Sequence, residues 1–548
     1  MSERDTIAAL KSLAGAKPEF RLSELQKDQG AGQSLERLAG EVRPHLDGLG
    51  LTLSPAGDDY VVGRRPAEQF TVDDAGRERQ LAFFEKPEVP DYIQQLVESY
   101  IAKKTAKSWD DPVVLDRMAN AILAQKSQYW KERQVSYRKA YPVLGYLAYH
   151  APVYLVQFEH IFWQVITQGL AKPHMRILDL GTGPGVVPLA VIDLLGRIGS
   201  GSAEVYAVER SEEHLEAYNA LVPAAAAAHG NAVQVHKPIR GDIEALTGKD
   251  LPDRIDLMVF SNVLNELRHL DIDRRADLVA RLAERLAPDG TIVVVEPADL
   301  ANSTAMRRTV RAIADRGLAV HSPCSFIWGT ACNPERCWTF EQKGDIRPTR
   351  LMERLAGGAN AYRFTNVDIK YSSALLRKDE KTQHAYRVPP GAKFARFSHL
   401  NRHRDKKINV VAALISGNLG DNRTKVYKVC DGTPRDPVYA VIPATLRGPL
   451  RGALRNIPYG AIVQFYGVLV RFNRDHNAYN LVVLPGTRIE QVGCPAGEAA
   501  GTETVEEEPG APADARPPKN PSRERRWGVR PGKQVTPRPR LHGTGKRS

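Results

Sequence analysis

One segment constrains the fold of this chain more than any other: the apolar run MRILDL is followed directly by GTGPG. The run predicts a buried strand over Arg176–Leu180. The glycines Gly181, Gly183 and Gly185 predict a tight turn that lets a ligand approach the backbone closely. An apolar helix is expected to begin at Val186. A strand, a glycine-rich turn and a helix in this order are typical of open α/β sheets that bind ligands beyond the carboxyl ends of their strands.

The alternation of strand and helix continues to about residue 320. Three more apolar, β-branched runs predict further strands of the same sheet, at Glu204–Val208, Ile255–Phe260 and Thr291–Glu296. Because strands separated by helices pair in parallel, we predict a parallel sheet covered by helices on both faces, an α/β fold.

Acidic residues follow several of these strands and indicate the chemistry of the ligand. Asp179 precedes the glycines, where a carboxylate would repel a pyrophosphate but suit a ligand that carries an amine or a sulfonium. Glu209 ends the second strand and can accept both hydroxyls of a ribose. Asp242, after the presumed third strand, is placed to meet an adenine amine, and Ser261, after the fourth, completes the predicted cofactor-binding set.

Five segments in this order, LDLGTGPG, VYAVE, GDIEAL, DLMVFSNVLNEL and TIVVVEP, resemble the motifs of the class I S-adenosylmethionine-dependent methyltransferases. The resemblance implies a Rossmann-like fold with S-adenosylmethionine as cofactor, Glu209 as the ribose-binding acid and Asp242 as the adenine-side acid. A domain that keeps this fold but has lost the cofactor is the alternative.

In that family the segment after the fourth strand flanks the site of methyl transfer. Here it contains Asn262, Asn265 and Glu266, which are our candidate catalytic or substrate-contacting residues, with helix capping and packing as the alternative role. The segment has no Asn-Pro-Pro-Tyr motif, which argues against methylation of an exocyclic adenine amine. It has no cysteine nucleophile either, which argues against cytosine C5.

Three of the five cysteines lie within fourteen residues, and a fourth follows much later. Four thiolates suit an iron–sulfur cluster or a structural zinc, and the ligand type alone does not decide between the two metals. A zinc site would take His321 or the fourth cysteine as its last ligand, and reduced buried cysteines are the remaining alternative. The candidate metal ligands are Cys324, Cys332, Cys337 and Cys430.

From about residue 90 to 490 the chain resembles one family more closely, the mitochondrial small-ribosomal-subunit assembly methyltransferase-like proteins and their prokaryotic relatives. The resemblance is carried by YLAY with AP shortly after it, LDLGTGPG, NVLNEL, VVEPADL, HSPC, WTFEQ, YS and CDG. It implies association with the small ribosomal subunit and its rRNA, and a [4Fe–4S] cluster on the four cysteines. The spacing of the first three cysteines departs from that family, and Ser325 and Phe326 replace its Pro-His.

Domain boundaries follow from composition and pattern. We predict a helical module over 1–90 with a hairpin at LTLSPAGDDYVVG; a winged-helix module and an arbitrary helical leader are the two alternatives. A helical region should follow over 91–173, whose aromatic residues form core and cleft wall. The methyltransferase domain should span 174–320, and a Cys-rich metal-binding and connecting region 321–407.

The last folded region, 408–492, holds about five β-runs and a short helix near Leu446–Leu454. Five strands with basic loops resemble an oligonucleotide-binding barrel, and Gly467 inside the longest run predicts a bulge or a barrel corner. Basic residues interleaved with tyrosines suit RNA, whereas a solvated charged face is the alternative.

Charge is concentrated at the end of the chain. The net charge is +12; residues 493–515 carry six acids and no Lys or Arg, and residues 516–548 carry eleven Lys or Arg and one acid. We expect a disordered tail that contacts RNA phosphates, with a solubility tail as the alternative. Cys494, at the start of this tail, is expected to bind nothing.

The composition, 42% hydrophobic and 26% charged residues, is that of a globular protein, and there is no signal peptide or run of about 18 apolar residues. We therefore expect a cytoplasmic monomer without membrane contact. Three functions compete: a methyltransferase acting on rRNA of the small subunit, a non-catalytic iron–sulfur assembly factor, and a small-molecule methyltransferase, which the basic barrel and tail disfavour.

Overall fold

The computed structural model describes residues 6–7, 9–10, 13–14, 19–28, 34–49, 51–64, 70–131, 140–230, 232–329, 332–335, 337–357, 361–384, 386–421 and 423–492. These residues belong to one compact unit, Met1–Glu498. The predicted acidic-then-basic tail, 493–548 with Cys494, lies outside the described residues.

A small α/β module stands at the start of the chain. Its described elements include the helices Leu22–Asp28 (α1) and Leu35–Leu49 (α2) and the strands Glu19–Arg21 (β1), Leu51–Ala56 (β2) and Asp59–Arg64 (β3). The predicted hairpin is confirmed, because β2 and β3 pair antiparallel, and β1 adds to β3. The first predicted helix lies mostly outside the described residues, so the winged-helix interpretation stays a prediction.

Helices then dominate up to the central sheet, as predicted. Their bounds are Asp74–Glu85 (α3), Asp91–Thr105 (α4), Pro112–Lys131 (α5), Ala140–Tyr149 (α6) and Ala151–Thr167 (α7). The last of them is buried on nearly every side, which fits its unbroken apolar and aromatic sequence. None of the described helices combines the length and hydropathy that crossing a membrane requires.

Within the residues that the structure describes, the central sheet has nine strands: His174–Leu180 (β4), Ser202–Glu209 (β5), Val233–Val235 (β6), Ile239–Arg240 (β7), Ile255–Ser261 (β8), Leu286–Pro297 (β9), Ala319–Ser322 (β10), Glu341–Lys343 (β11) and Ile369–Arg377 (β12). Their order is β10-β12-β9-β8-β4-β5-β6, with β7 beside β5 and β11 beside β12. The strands from β4 to β9 pair in parallel, whereas β12 runs antiparallel between β9 and β10. The predicted parallel α/β sheet is confirmed. The boundary predicted at residue 320 falls inside this sheet, because β11 and β12 lie beyond it.

Helices cover both faces of the sheet, as the alternating pattern predicts. They are Val186–Ile198 (α8), Glu212–Ala228 (α9), Ile272–Leu282 (α10) and Leu300–Ala314 (α11), and a shorter helix, Arg350–Ala356 (α12), packs near α5 and α6. Successive residues of one strand enter different cores: Ile177 packs with α7 and α8, and Leu178 packs with α10 and α11. Burial on both faces explains why these strands are continuous apolar runs.

The C-terminal strands close into a barrel. They are Lys407–Leu414 (β13), Lys425–Cys430 (β14), Val438–Ile442 (β15), Ile462–Asn473 (β16), Ala478–Val482 (β17) and Arg488–Val492 (β18). The order β13-β14-β15-β17-β16 is closed by pairing of β13 with β16, so five strands form the barrel and β18 adds to β16. The predicted five-stranded barrel is confirmed.

The barrel agrees with the sequence-based predictions in its bulge and differs from them in a helix and in its last strand. The predicted bulge is present: the register shifts between Ile408 and Val410, and Gly467 N–H donates to the Asn409 side chain at 3.0 Å. The predicted helix near Leu446–Leu454 is wrong, since only a 3-10 turn forms at Pro449–Arg451. Strand β18 was not predicted, because its mostly exposed residues lack an apolar run.

One buried ion cluster ties three helices together. The Arg197 guanidinium at the end of α8 donates to Glu159 Oε2 of α7 at 2.6 Å and to Gln80 Oε1 of α3 at 2.7 Å. Glu159 is fully buried, and burial raises the pKa of its carboxyl group to about 7. The arginine therefore compensates a carboxylate that water does not reach.

Replacing Arg197 by Met should lower the free energy of unfolding by about 3–5 kcal/mol at pH 7, because it leaves a buried carboxylate without its counter-charge. Urea denaturation followed by circular dichroism measures the loss. The double variant with Glu159→Gln should recover part of it, and Arg308→Met, at an exposed arginine, serves as control. A loss below 1 kcal/mol in Arg197→Met would contradict this account.

Candidate functional site

The carboxyl ends of β4, β5, β8 and β9 meet at one edge of the sheet, on either side of the point where the strand order reverses. The glycine-rich loop after β4 lies there, with φ of +74° at Gly181, +57° at Gly183 and +93° at Gly185. A Cβ atom on Gly181 would lie 2.7 Å from Val263, and one on Gly185 would lie 2.3 Å from Val222. The loop therefore needs glycine for its backbone angles and for its packing.

Glu209 joins this loop to the next helix. Its Oε2 accepts from Gly183 N–H at 2.9 Å, and its Oε1 accepts from Arg210 N–H at 2.9 Å and Ser211 N–H at 2.7 Å. Three backbone donors hold the carboxylate in place at the end of β5. Oε1 already accepts two hydrogen bonds and Oε2 accepts one, so Oε2 retains lone-pair capacity for one donor from a ligand.

Asp179 lies directly beneath the loop and is 1% exposed. Burial raises the pKa of its carboxyl group to about 7, and the neighbouring Glu209 carboxylate adds to the shift. The buried Asp179 Oδ2 and the hydroxyl of Tyr218 find no hydrogen-bond partner among the described residues. Buried polar atoms are normally paired, so this edge of the sheet has polar groups for a bound ligand to satisfy.

Asp242 and Ser261 lie at the same edge, as predicted. Asp242 Oδ1 accepts from Glu244 N–H at 3.0 Å, and its other oxygen lies 3.5 Å from the Arg210 guanidinium. Ser261 ends β8, and the next residue, Asn262, has a φ of +56°. The N–H of Asn262 donates to Val295 O at 2.8 Å, which keeps the start of this segment against β9.

The candidate catalytic residues Asn265 and Glu266 lie in the turn that follows. Glu266 is half-buried, and burial raises the pKa of its carboxyl group to about 7 while Arg210 opposes the shift. The side-chain oxygen of Asn265 is buried without a partner among the described residues. The structure thus brings Asn262, Asn265 and Glu266 to the edge that holds the glycine loop.

Sequence reasoning missed Glu296, which lies beside this turn. Its Oε1 accepts from Asn265 N–H at 3.2 Å, and it is 1% exposed. Burial raises the pKa of its carboxyl group to about 8, and the Glu266 carboxylate contributes. The sequence did contain a signal, because Glu296 directly follows the apolar run TIVVV. An acid at the end of a strand that is buried on both faces costs free energy, which indicates a role in binding or catalysis.

Aromatic rings from α6 and α7 stand beside the loop, in the position predicted for a cleft wall. The Tyr146 ring lies 5.8 Å from His214 and 6.1 Å from Tyr154, and His150 stacks 5.9 Å from Tyr154. His214 is the nearest neighbour of a Cβ placed on Gly183, at 4.0 Å. The wall and the glycine loop therefore border the same space.

The four predicted metal ligands are free thiols that influence one another. Burial raises the pKa of Cys324 to about 12 and that of Cys430 well above its usual value, and Cys337 and Cys332 add to both shifts. The structure therefore gathers the four sulfur atoms in one neighbourhood. Within the described ranges, however, no group of three or more His, Cys, Asp or Glu side chains is arranged to hold a metal ion.

Two buried cations lie beside these thiols. Arg307 is 3% exposed and Lys428 is 6% exposed. The Arg307 guanidinium donates to Thr339 Oγ1 at 2.7 Å, and the charges that act on both cations include those of the cysteines. In the part of the chain that the structure describes, neither cation has a carboxylate within 4.0 Å. Neither residue had a local sequence signal.

His321, the alternative zinc ligand, is engaged elsewhere. Its Nδ1 lies 2.9 Å from Lys381 O, and its Nε2 lies 3.0 Å from Gln168 Oε1. Burial lowers its pKa to about 4. Because both ring nitrogens have oxygen partners, the structure gives no support to His321 as a metal ligand.

Comparisons with known proteins agree with this architecture. Residues 171–345 match a family model described as "Methyltransferase domain", and residues 398–492 match the "Domain of unknown function (DUF8157) C-terminal domain". The first match and the strand order confirm the predicted class I methyltransferase fold, and the second match covers the barrel. No curated protein matches the chain.

Several solved structures are similar to the methyltransferase part. A TehB-like SAM-dependent methyltransferase from Corynebacterium glutamicum is 14% identical, with 41% of this chain and 98% of that one covered and a TM-score of 0.23. A SAM-dependent methyltransferase from Leishmania major is 16% identical, with 48% and 83% covered and a TM-score of 0.27. The glycopeptide N-methyltransferase MtfA, complexed with sinefungin, is 16% identical, with 40% and 85% covered and a TM-score of 0.25.

The glycine loop offers a matched pair of substitutions. Gly185→Ala should lower the free energy of unfolding by about 2–4 kcal/mol, since it combines a left-handed backbone with a collision against Val222. Gly183→Ala, which has open space around its Cβ, should cost only about 1–2 kcal/mol. Thermal unfolding of both variants checks the order, and equal losses would show that packing against Val222 is not the reason for Gly185.

Proposed function

We propose that this protein is an S-adenosylmethionine-dependent methyltransferase that acts on RNA of the small ribosomal subunit. The observation that carries the proposal is the sheet edge itself, where the glycine loop, Glu209 and the unpartnered Asp179 oxygen converge in a domain of methyltransferase fold. The family resemblance supports RNA of the small subunit as substrate, and the basic barrel is consistent with it.

The residues present fit the cofactor. The fixed Glu209 carboxylate would accept from a ribose hydroxyl through Oε2, and the adjacent Asp179 carboxylate would attract the positive end of the ligand. Asp242 would accept from the adenine amine, and Ser261 would border the ligand from the end of β8. When bound, S-adenosylmethionine supplies an electrophilic methyl group on its sulfonium.

The chain's own contribution to the reaction is orientation and proton uptake. Asn262 and Asn265 would orient the acceptor, since the side-chain oxygen of Asn265 is otherwise without a partner among the described residues. A carboxyl group with a pKa near 7 is well matched to accept a proton at neutral pH, which Glu266 provides. The proton that leaves the acceptor as its new bond to carbon forms would pass to Glu266.

Calorimetric titration of S-adenosylmethionine tests the ribose contact. Glu209→Ala should weaken binding at least tenfold, because each charge-assisted hydrogen bond contributes about 1.5–3 kcal/mol. Glu209→Gln keeps the shape of the side chain but not its charge, so its affinity for S-adenosylmethionine should lie between those of the wild-type protein and Glu209→Ala. Glu212→Ala removes an exposed carboxylate three residues away and is the control. Unchanged affinity in Glu209→Ala would remove Glu209 from the cofactor site.

Cofactor affinity should also depend on pH through Asp179. Its raised pKa of about 7 means that the carboxyl group is largely neutral at pH 6 and largely ionised at pH 8. Since the anion attracts a cationic ligand, affinity should rise several-fold across this range, and the rise should be smaller in Asp179→Asn. The same pH profile in both proteins would show that another group is responsible.

A second candidate function, a non-catalytic assembly factor that carries a metal, is favoured by the cysteine neighbourhood. A zinc ion or a [4Fe–4S]²⁺ cluster bound by four thiolates carries a net charge of −2, and the buried Arg307 and Lys428 together supply +2. Metal binding would also explain why two cations are buried beside thiols rather than carboxylates. The family resemblance favours the iron–sulfur cluster over zinc.

Anaerobic purification tests the metal directly. We expect brown protein with broad absorbance near 400 nm and about four irons per chain, as for a cubane cluster on four cysteines. Cys430→Ser should lose the colour, and Cys494→Ser should keep it. Colourless protein with one zinc would favour zinc. Colour that survives Cys430→Ser would show that the fourth ligand lies elsewhere.

The two candidate functions differ in one result. Small-subunit particles from a strain lacking this protein are incubated with the protein and tritiated S-adenosylmethionine. Label in the RNA supports the enzyme, whereas RNA binding without label supports the assembly factor.

A further inference from the structure

A cleft of about 540 Å³ opens beside the barrel, away from the glycine loop. It lies between the start of β13, the 3-10 helix Phe397–His403 with the residues just before it, and Trp328 from the segment between Cys324 and Cys332. Neither the proposed methyl-transfer site nor the metal neighbourhood uses this space.

Most of the side chains that line the cleft are aromatic or basic. Lys393, Arg396, Lys407 and His399 are exposed, and Trp328 and Phe394 are half-buried. Among the described residues, none of these cations has a carboxylate partner within 4.0 Å, and no Asp or Glu lines the cleft. Two exposed arginines of the barrel do pair with a carboxylate, Arg471 with Asp405 and Arg488 with Glu490. The cleft thus keeps its positive charge available for an anion.

Its aromatic wall is held in place. The Trp328 indole N–H donates to Asp431 Oδ2 at 2.9 Å, and the same buried carboxylate accepts from Phe397 N–H at 2.8 Å. The Asp431 carboxylate, just after β14, therefore holds both Trp328 and the start of the 3-10 helix in place. The Arg396 guanidinium lies 4.5 Å from the centre of the Trp328 ring, and Phe394 packs 5.6 Å from Tyr466.

We propose that this cleft binds single-stranded nucleic acid, with a base stacked against Trp328 or Phe394 and with phosphates bound by Lys393, Arg396 and Lys407. Fixed aromatic faces beside unpaired cations are the two elements that single-strand recognition combines. An acidic peptide would use the cations but gain little from the rings, and a duplex hides its base faces. The proposal rests on the proposed function only in taking RNA as the partner.

The cleft also differs in position from the surface that barrels of this type commonly use. Oligonucleotides usually bind over the second and third barrel strands and the adjoining loops. Here the cleft borders the first strand and the segment preceding it. Substitutions in the cleft can therefore be made without changing the surface over the second and third strands, so RNA binding at the two surfaces can be measured separately.

The test uses the full-length protein and fluorescence anisotropy of a labelled 12-nucleotide single-stranded RNA. Lys393→Ala with Lys407→Ala should weaken binding at least tenfold at low salt and reduce the slope of log affinity against log salt by about 1.4, at about 0.7 for each lost phosphate contact. Phe394→Leu and Trp328→Leu should each weaken binding at least about fivefold and leave the slope unchanged, because stacking releases no counterions.

The control is Lys237→Ala with Lys249→Ala, which removes two exposed cations from the sheet domain. Cleft variants that bind RNA like this control would overturn the proposal. Equal affinity for the duplex form, or for a glutamate-rich peptide of the same charge, would overturn it as well, since the cleft would then recognise anions alone.

Because Trp328 is hydrogen-bonded inside the fold, the exposed lysine pair and Phe394→Leu keep the proposal testable if Trp328→Leu does not fold. S-Adenosylmethionine titration of each variant separates the two proposals. If the cleft variants bind S-adenosylmethionine normally but have lost RNA affinity, the result supports RNA binding at the cleft. Intact RNA affinity in the cleft variants refutes the cleft and leaves the proposed function standing. Wild-type protein that binds no RNA would refute the RNA substrate itself.

Discussion

The buried guanidinium of Arg307 connects parts of the chain that are far apart in sequence. From helix α11 it donates to Thr339 Oγ1, to Ser373 O of strand β12 at 2.8 Å and to Tyr459 OH, next to the barrel, at 3.0 Å. A charge this deeply buried needs partners for its donors and an opposite charge nearby. Nε and Nη2 have such partners, whereas Nη1 has none among the described residues, and the thiols are the acidic groups that lie near. One arginine therefore links the sheet, the cysteine segment and the barrel, and the thiols around it set the charge that it meets.

The candidate methyl-transfer site follows a different physical principle. Its carboxylates, Asp179, Glu266 and Glu296, are buried at strand ends, and burial shifts the pKa of each toward neutrality. Glu209 lies among them and is held by three backbone N–H groups. One sheet edge thus holds an anchored carboxylate beside groups that can exchange protons near neutral pH.

Local pattern was enough to predict most strands of the sheet and the barrel and part of the candidate site. The glycine loop, Glu209 and Asp242 follow strands whose apolar runs are visible in the sequence, so their meeting at one edge follows from parallel pairing. Glu296 needed more, because its importance comes from the turn that it contacts across the sheet. Arg307 and Lys428 have no local signal at all, since only the packing of α11 against the barrel brings them to the cysteines. Strand β18 escaped for the opposite reason: it is exposed, and exposed strands leave no apolar trace.

The connectivity of the sheet has a consequence for the newly made chain. Strand β12 inserts between β9 and β10, so the cysteine segment connects two neighbouring strands of the sheet and does not follow the last strand. Cys324, Cys332 and Cys337 leave the ribosome about a hundred residues ahead of Cys430, which at about 5–20 residues per second corresponds to roughly 5–20 s. For that interval three thiols exist without the strand that brings the fourth beside them, so the four-thiol neighbourhood forms only after β14 has been made.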